Sequence, residues 1–396
     1  MNTKNKQSKN FPNLRFPGFE GEWERYRISD LLEFFATNSL SWKQLNYEFG
    51  DILNLHYGLI HKGFSVHVDL NKHNLPYINA EYKPRAYSLC ENGDIVFADA
   101  SEDTNDIAKA VELYDCKERK VVAGLHTIHG RDKLGKTIVG FKGYVFASST
   151  FRNQIRQLAQ GTKVFSISQK NFNECFIGVP SKKEQDKIAN FMRLIDERIQ
   201  TQMKIIEELE KIRFGLRFQI FKQLKNDNVE VKPIKDLINY EQPTKYLVID
   251  ENYSQNPLLT PVLTANKAFV LGYTDENFGI YNKGNCIIFD DFTMDMKYVT
   301  FSFKVKSSAI KILKPKSDIN LRYVFEYLLS LNLQSGEHKR HYISEIEFKK
   351  VPLLAKEYQN SIASLFSSID NKIIVEKSLL SAYQQQKKYL LQNLFI

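Results

Sequence analysis

Two stretches of this chain, residues 184–221 and residues 358–395, align without a gap at a spacing of 174 residues. Each copy carries apolar side chains at a seven-residue period, which is typical of long helices that pack along a seam. A chain with two such helices, each preceded by a different globular stretch, is built as two tandem halves. The identical positions are Gln185/Gln359, Ile188/Ile362, Ala189/Ala363, Ile195/Ile369, Asp196/Asp370, Ile199/Ile373 and Phe221/Phe395.

Polar residues interrupt the apolar seams at matching positions, Gln202 with Glu376 and Arg213 with Lys387. The connection between the helices runs through a whole globular stretch, so both relative orientations are open. An antiparallel pair would place Gln202 against Glu376, and a buried polar pair of this kind fixes helix register. The side chains predicted to form the helix interface are Ile188, Ile195, Ile199, Gln202, Ile206, Leu209, Leu216, Ile362, Ile369, Ile373, Glu376, Leu380 and Leu390.

The remaining sequence of each half is rich in β-branched and aromatic residues, which predicts strands. Each half adds one amphipathic helix, predicted over 144–160 and over 321–333. The fold class is therefore α+β, with two mixed α/β domains separated by two long helices. The predicted boundaries are a tail over 1–20, a first domain over 21–180, a central helix over 181–225, a second domain over 226–352 and a C-terminal helix over 353–396.

The composition sets limits on partners and location. The net charge of +9 suits a polyanion partner without establishing one. The four cysteines have no zinc or redox spacing and read as buried free thiols of a reducing compartment. Because the N-terminus lacks a signal-peptide pattern and no run of about 18 apolar residues occurs, we expect no membrane contact and a cytoplasmic location.

Catalytic signatures are weak. There is no Walker A loop, no GxGxxG and no GxSxG. The ExK tripeptides at 81–83 and 118–120 loosely match a metal-dependent nuclease, but 26% of the residues are charged, so such matches arise by chance. His126/His129 and His338/His341 have HxxH spacing. Surface or DNA-facing imidazoles are favoured over a metal site, because no third ligand is placed nearby.

Two segments combine flexible residues with donors suited to DNA. One is RNQIR followed by QGTK, within 152–163, and the other is SGEHKRH, over 335–341. Arginine and lysine hydrogen-bond guanine, asparagine and glutamine hydrogen-bond adenine, and hydroxyls and backbone amides bind phosphates. Charged loops are often only solvated, but the two segments hold the same place in their halves, which favours DNA contact.

The whole pattern resembles the specificity subunits of type I restriction-modification enzymes. The resemblance rests on the duplicated VP…QxxIA…IDxxI helix, the paired GDIVF-like strands and the tail FPNLRFPGFEGEW. The phrases GLHTIHGRD, RNQIRQLAQGTKVFSIS and LTANKAFVLGY add to it. It implies a bacterial defence protein with two target recognition domains, which read a bipartite, asymmetric DNA site. The helices would form an antiparallel, pseudo-two-fold coiled coil that measures the unread spacer.

The resemblance also implies partners and DNA-contacting residues. Two methyltransferase subunits would carry S-adenosylmethionine, and restriction subunits would use ATP and Mg²⁺. This chain would itself be non-catalytic, with no metal or cofactor; the alternative is an autonomous nuclease or modification enzyme with a divergent site. The DNA-facing positions implied are Arg131, Lys133, Arg152, Asn153, Arg156, Thr162 and Lys163 in the first domain, and Asn266, Lys267, Asp291, Thr293, Lys297, His338, Lys339 and Arg340 in the second.

Overall fold

The structure is a computed structural model that describes residues 10–62, 64–161, 163–227, 229–266, 268–316, 318–334 and 340–396. The chain forms two compact units. Unit 1 comprises Met1–Gln202 with Leu379–Ile396, and unit 2 comprises Met203–Ser378. Within the described ranges, no helix is both long enough and apolar enough to span a bilayer.

The first domain, in unit 1, consists of short strands and helices. Its helices are α1 (Ile28–Leu31), α2 (Tyr57–Lys62), α3 (Lys142–Ala147), α4 (Ser149–Leu158) and α5 (Gln169–Asn173). Its strands are β1 (Glu24–Arg27), β2 (Leu32–Phe35), β3 (Leu45–Asn46), β4 (Leu53–Leu55), β5 (His67–Asp69), β6 (Tyr77–Ile78), β7 (Ile95–Ala98), β8 (Ala100–Ser101), β9 (Ala110–Tyr114), β10 (Val121–Ala123), β11 (Thr127–Asp132), β12 (Phe165–Ser166) and β13 (Phe176–Val179).

A five-stranded sheet, ordered β2-β11-β7-β9-β5, forms the centre of the first domain. A second sheet, ordered β10-β4-β6-β3, is built largely from the long segment before β7. The main core lies between the five-stranded sheet and α3, α4 and α5, where Phe97 meets Phe146 and Phe172 edge to face. This geometry is preferred by aromatic pairs because ring edges are positive and ring faces negative.

The single helix predicted over 144–160 is wrong, because the chain breaks at Ser148. Ser148 adopts an extended conformation, and its hydroxyl accepts a hydrogen bond from the Phe151 backbone N–H, so it starts α4 as an N-cap. The apolar periodicity survives the break, since Tyr144 and Phe151 are both fully buried. Periodicity alone therefore could not reveal it.

The long central helix is α6 (Lys182–Asn226), and the second domain follows it in unit 2. The remaining helices are α7 (Ile234–Leu237), α8 (Leu321–Ser330) and the C-terminal long helix α9 (Lys356–Asn393). The strands are β14 (Val231–Pro233), β15 (Ile238–Glu241), β16 (Thr260–Leu263), β17 (Val270–Thr274), β18 (Cys286–Asp290), β19 (Met296–Val299), β20 (Lys304–Val305), β21 (Ile310–Pro315) and β22 (Lys350–Pro352).

The two domains share one topology, so the sequence repeat extends beyond the helices. The sheet β15-β21-β18-β19 of the second domain repeats the order β2-β11-β7-β9 of the first. The antiparallel pair β14–β22 corresponds to β1–β13. The second sheet differs, since the second domain has only β17-β16-β20 there. The α+β architecture of two mixed domains and two long helices is therefore confirmed.

The long helices run antiparallel within each unit. In unit 1, Lys387 pairs with Asp196 at 2.5 Å, and the Arg198 guanidinium lies 5.8 Å from the centre of the Tyr383 ring. In unit 2, Lys377 pairs with Glu210 at 2.7 Å, and Asp370 pairs with Arg213 at 2.7 Å. Residue numbers rise along α6 while those of their partners on α9 fall, which defines an antiparallel pair.

Every side chain predicted for the helix interface is buried or half-buried. Ile188 and Leu390 join the core of the first domain in unit 1, while Ile362 packs against the core of the second domain in unit 2. The polar residues Gln202 and Glu376 are 4% and 7% exposed. The four cysteines, Cys90, Cys116, Cys175 and Cys286, are buried free thiols, as predicted.

Candidate nucleic-acid interface

Arg131 lies on β11, and its side chain binds acidic residues of the same domain. Its guanidinium donates two hydrogen bonds of 2.8 Å to the Asp94 carboxylate and one of 2.6 Å to Glu91. Asp94 also binds the buried His129 imidazole at 2.7 Å. Burial raises the pKa of Asp94, but the Arg131 and His129 hydrogen bonds outweigh this and hold the pKa below its usual value. Arg131 therefore neutralises a buried carboxylate rather than presenting free donors.

His129 was expected to lie at the surface or to face DNA, and this expectation is wrong. It is fully buried, and ligand-type atoms of Cys90, Asp94 and His129 all lie within 4.8 Å of one another. The Asp94 oxygens, however, already accept hydrogen bonds from Arg131, His129 and the Glu91 backbone. The adjacent Arg131 guanidinium would also repel a metal cation. The cluster therefore fits a hydrogen-bond network better than a metal site.

Arg152 on α4 also points inward. It is 8% exposed, its guanidinium donates to the Asn105 carbonyl, and burial lowers its pKa to about 10. The neighbouring Arg156 and Asn153 are exposed and joined by a 2.9 Å hydrogen bond. Lys163 is exposed in the turn that follows, and Lys133 is exposed with its ammonium on the Ser29 carbonyl at 2.8 Å. Thr162 lies outside the described residues.

The end of β18 organises the predicted site in the second domain. Asp291 is buried, and its carboxylate accepts hydrogen bonds from the backbone N–H groups of His341 and Tyr342 at 3.0 and 2.7 Å. It lies 3.5 Å from the buried ammonium of Lys311. Asp291 thus holds the segment that begins at Arg340 against the strand end. Lys267, His338 and Lys339 lie outside the described residues.

Exposed polar side chains surround this strand end. The Thr293 hydroxyl is 3.5 Å from the Asn266 side-chain oxygen, and the exposed Arg340 guanidinium lies 5.8 Å from the centre of the Phe292 ring. Lys297, on β19, is half-buried. The structure therefore brings Asn266, Thr293 and Arg340 to one edge of the domain.

An open pocket of about 640 Å³ lies at the same edge. Its polar lining residues are Thr264, Asn266, Asp290, Lys306, Ser307 and Ser308. Sequence reasoning missed Lys306 and the two serines. The signal that could have found them is the Ser-Ser turn between two apolar strands, at the loop end of the sheet where recognition residues concentrate.

The equivalent edge of the first domain has different chemistry. The Asp99 N–H bonds the His126 carbonyl at 3.1 Å, as the Asp291 N–H bonds the Ala309 carbonyl at 3.0 Å in the second domain. His126 has φ of 54°, a left-handed conformation that is uncommon outside glycine. Its imidazole lies 3.3 Å from the Asp99 carboxylate. Burial raises the pKa of Asp99, against the opposing effect of His126.

Aromatic rings extend this edge away from His126. Tyr57 contacts His126 edge-on, with 5.3 Å between ring centres, and its ring centre is 4.7 Å from that of His56. His56 in turn lies 4.3 Å from the half-exposed Trp42. At the equivalent edge, then, one domain has aromatic rings and an imidazole, while the other has an amide, hydroxyls and a lysine.

Two solved structures share the fold of this chain. The S subunit of a type I restriction-modification system from M. genitalium matches with a TM-score of 0.62 and 16% identity, over 98% of this chain and 99% of that chain. A chain from a type I restriction-modification structure on complex assembly and conformational transition matches with a TM-score of 0.56 and 11% identity, over 96% and 98%. The fold is that of type I specificity subunits.

Sequence comparison adds a direct relative. The chain is 47% identical over 135 residues to the specificity subunit of the Escherichia coli type I restriction enzymes EcoR124I and EcoR124II. That match covers 32% of this chain and 33% of the relative. No protein-family model matches the chain. The chain is thus a relative of type I restriction-modification specificity subunits, as the sequence resemblance predicted.

Proposed function

We propose that this chain is the DNA-recognition subunit of a type I restriction-modification complex and reads a bipartite, asymmetric site. The observation that carries the proposal is one domain topology present twice, with unlike chemistry at the equivalent edge. Two domains that read the same sequence would repeat their surface residues along with their strands. Here the strands repeat and the edge residues do not, as an asymmetric target requires.

The described side chains divide into DNA-contacting and supporting groups. In the first domain, Asn153, Arg156 and Lys163 are exposed and suited to phosphates or base edges. Lys133 is a further proposed contact, but it follows the end of β11 that lies opposite His126. Arg131 and Arg152 already bind partners within the domain, so they are not proposed as direct contacts. In the second domain, Asn266, Thr293, Lys297 and Arg340 are the contacting set, and Asp291 is the support. Thr162, Lys267, His338 and Lys339 remain proposed contacts.

The long helices would receive the methyltransferase subunits. Large apolar side chains on their unit 2 segments are exposed, and exposed apolar patches often mark sites that bind another protein. They include Ile212 at 50%, Phe214 at 67%, Phe218 at 56%, Ile374 at 64% and Val375 at 59%. Two methyltransferase subunits would bring S-adenosylmethionine, and restriction subunits would bring ATP and Mg²⁺ chemistry. The chain would then act in the cytoplasm without catalytic residues of its own.

Base-resolution mapping of genome methylation, in cells with and without this chain, tests the proposal. We expect modification at one split sequence with a fixed spacer, present only when the chain is expressed. In a second arm, residues 234–351 are exchanged for the corresponding domain of another specificity subunit. Only one half of the methylated sequence should change. A change in both halves would contradict the two-domain assignment.

The competing reading, an autonomous nuclease or modification enzyme, has its own test. The purified chain is incubated alone with DNA, Mg²⁺ and S-adenosylmethionine. Cleavage or methyl transfer in the absence of other subunits would replace the proposed function with this alternative. We expect DNA binding without turnover.

A further inference from the structure

The two units contain the same helix-to-helix ion pair. In unit 1, Asp196 on α6 binds Lys387 on α9 at 2.5 Å. In unit 2, Asp370 on α9 binds Arg213 on α6 at 2.7 Å. The 174-residue repeat relates Asp196 to Asp370 and Arg213 to Lys387. The basic residues that interrupt the apolar seams, Arg213 and Lys387, therefore form the same kind of ion pair, once in each unit.

In each unit the aspartate also binds its recognition domain. The Tyr144 hydroxyl, on α3 of the first domain, donates to Asp196 at 2.9 Å. In the second domain, the Arg322 guanidinium, on α8, donates to Asp370. One carboxylate thus joins three elements: both long helices and the adjacent domain.

These contacts are partly shielded from water. The side chains of Asp196 and Asp370 are 13% and 24% exposed, and Tyr144 is fully buried. Burial raises the pKa of Asp370, but hydrogen bonds from Arg213 and Arg322 outweigh it and lower the pKa. Charge-assisted hydrogen bonds of this kind are strong and directional, so a domain that pivots on the helices must break them.

The second unit reinforces its contact through a further buried acid. Glu326, which is fully buried on α8, accepts from Arg217 of α6 at 2.7 Å and from Arg322 at 2.5 Å. Five charged side chains therefore join α8 to both helices. The first unit relies on Tyr144 instead, so the two domains are held by different chemistry at equivalent places.

We propose that Asp196 and Asp370 are positioning residues that fix the orientation of each recognition domain on the long helices and thereby restrict the spacer length the protein accepts. This inference rests on the proposed function. Both helices continue from one unit into the other. The orientation of a domain on its helix segments therefore decides where its DNA-reading edge lies.

DNA geometry sets how far a recognition domain may move before the protein accepts a spacer of a different length. Adding one base pair to the spacer moves a half-site by about 3.4 Å and turns it by roughly 35°. A domain free to pivot by a comparable amount would accept both spacers. Rejecting the wrong spacer thus requires a rigid attachment, which a carboxylate bound by three elements provides.

The test uses the complete methyltransferase complex assembled with full-length chain. Methylation rates are measured on duplexes that keep both half-sites and carry the native spacer, one base pair fewer or one more. The variants are Asp196→Asn, Tyr144→Phe and Asp370→Asn. Tyr144→Phe is informative because it removes the tyrosine hydrogen bond between the domain and Asp196 while leaving the helix-to-helix pair. Lys387→Arg, which mimics Arg213, is the conservative variant, and Lys211→Gln on an exposed face of α6 is the control.

We expect Asp196→Asn, Tyr144→Phe and Asp370→Asn each to lower the preference for the native spacer by about threefold to tenfold. The half-site sequences should not change, and Lys387→Arg and Lys211→Gln should keep the wild-type preference. An unchanged preference in the three disruptive variants would overturn the inference. So would an equal loss of rate on every spacer, which would indicate only a structural role. If the wild-type complex showed no dependence on a split site, the proposed function itself would fail.

Discussion

The side-chain oxygen of Gln359, on α9, accepts a hydrogen bond of 2.9 Å from the backbone N–H of Asn320, the residue that caps α8. Its amide nitrogen donates to the Leu354 carbonyl at 2.8 Å. Gln185 makes the equivalent contacts in the first domain, with the Ile138 N–H at 2.9 Å and the Pro180 carbonyl at 2.8 Å. The repeated glutamine therefore clamps each domain to its long helix.

Gln359→Ala should destabilise the protein by about 1–3 kcal/mol, because it leaves buried backbone groups without partners. Gln359 is 2% exposed, so water cannot replace the lost hydrogen bonds. The free energy of unfolding in urea provides the measurement. Gln384→Ala, at an exposed position of the same helix, should have little effect. Equal stability of the two variants would contradict the clamp.

Lys163→Ala and Arg340→Ala should each weaken binding to the cognate duplex, by about 1–3 kcal/mol if the side chain reads a base. If a residue contacts only phosphate, its loss should lower the salt dependence of binding by about one unit of slope and affect all sequences equally. Titrations at several salt concentrations separate the two roles. Lys211→Ala, on the helix surface, is the matched control and should leave binding unchanged.

Ile199→Asp should disrupt the pairing of the long helices and reduce assembly with partner subunits. The substitution places a carboxylate at a half-buried seam position, where the charge loses hydration without gaining a partner. Native mass spectrometry of the complex gives the readout. Gln200→Asp adds the same charge at an adjacent exposed position and should assemble normally. A normal complex for Ile199→Asp would refute the predicted seam.

Asp94 should make the first domain sensitive to acid. Its folded-state pKa is lowered by Arg131 and His129 despite burial. The stability it contributes is therefore present above the ordinary aspartate pKa and is lost as pH falls through the lowered, folded-state value. Unfolding measured across the acidic range should show this loss in the wild type. Asp94→Asn should be less stable at neutral pH and should lose less further stability on acidification.

The long helices could be predicted because their signal is local and periodic. Residues seven apart lie on the same helix face, so an apolar period over 38 residues leaves few other conformations. The sequence also predicted that strands dominate both domains. Their pairing could not be predicted, because β11 joins β2 and β7 from distant parts of the sequence.

The candidate site was less predictable, because the sequence does not show which charges are already neutralised. Arg131 and Arg152 are residue types that often contact DNA. In this structure, however, their guanidinium groups donate hydrogen bonds to Asp94 and to the Asn105 carbonyl. Lys306 and His126 lie at the proposed DNA-reading edge only because separate strands end there.

By itself, the sequence determined the duplication, the two helices, their seam and the family resemblance, since each depends on residue identity at fixed spacing. Only the tertiary structure decided what the repeated polar residues do. Asp196 and Asp370 hold the same position in the two copies of the repeat, but Asp196 binds Tyr144 and Asp370 binds Arg322. Those partners come from elements that folding brings alongside the helices, so no spacing along the chain encodes them.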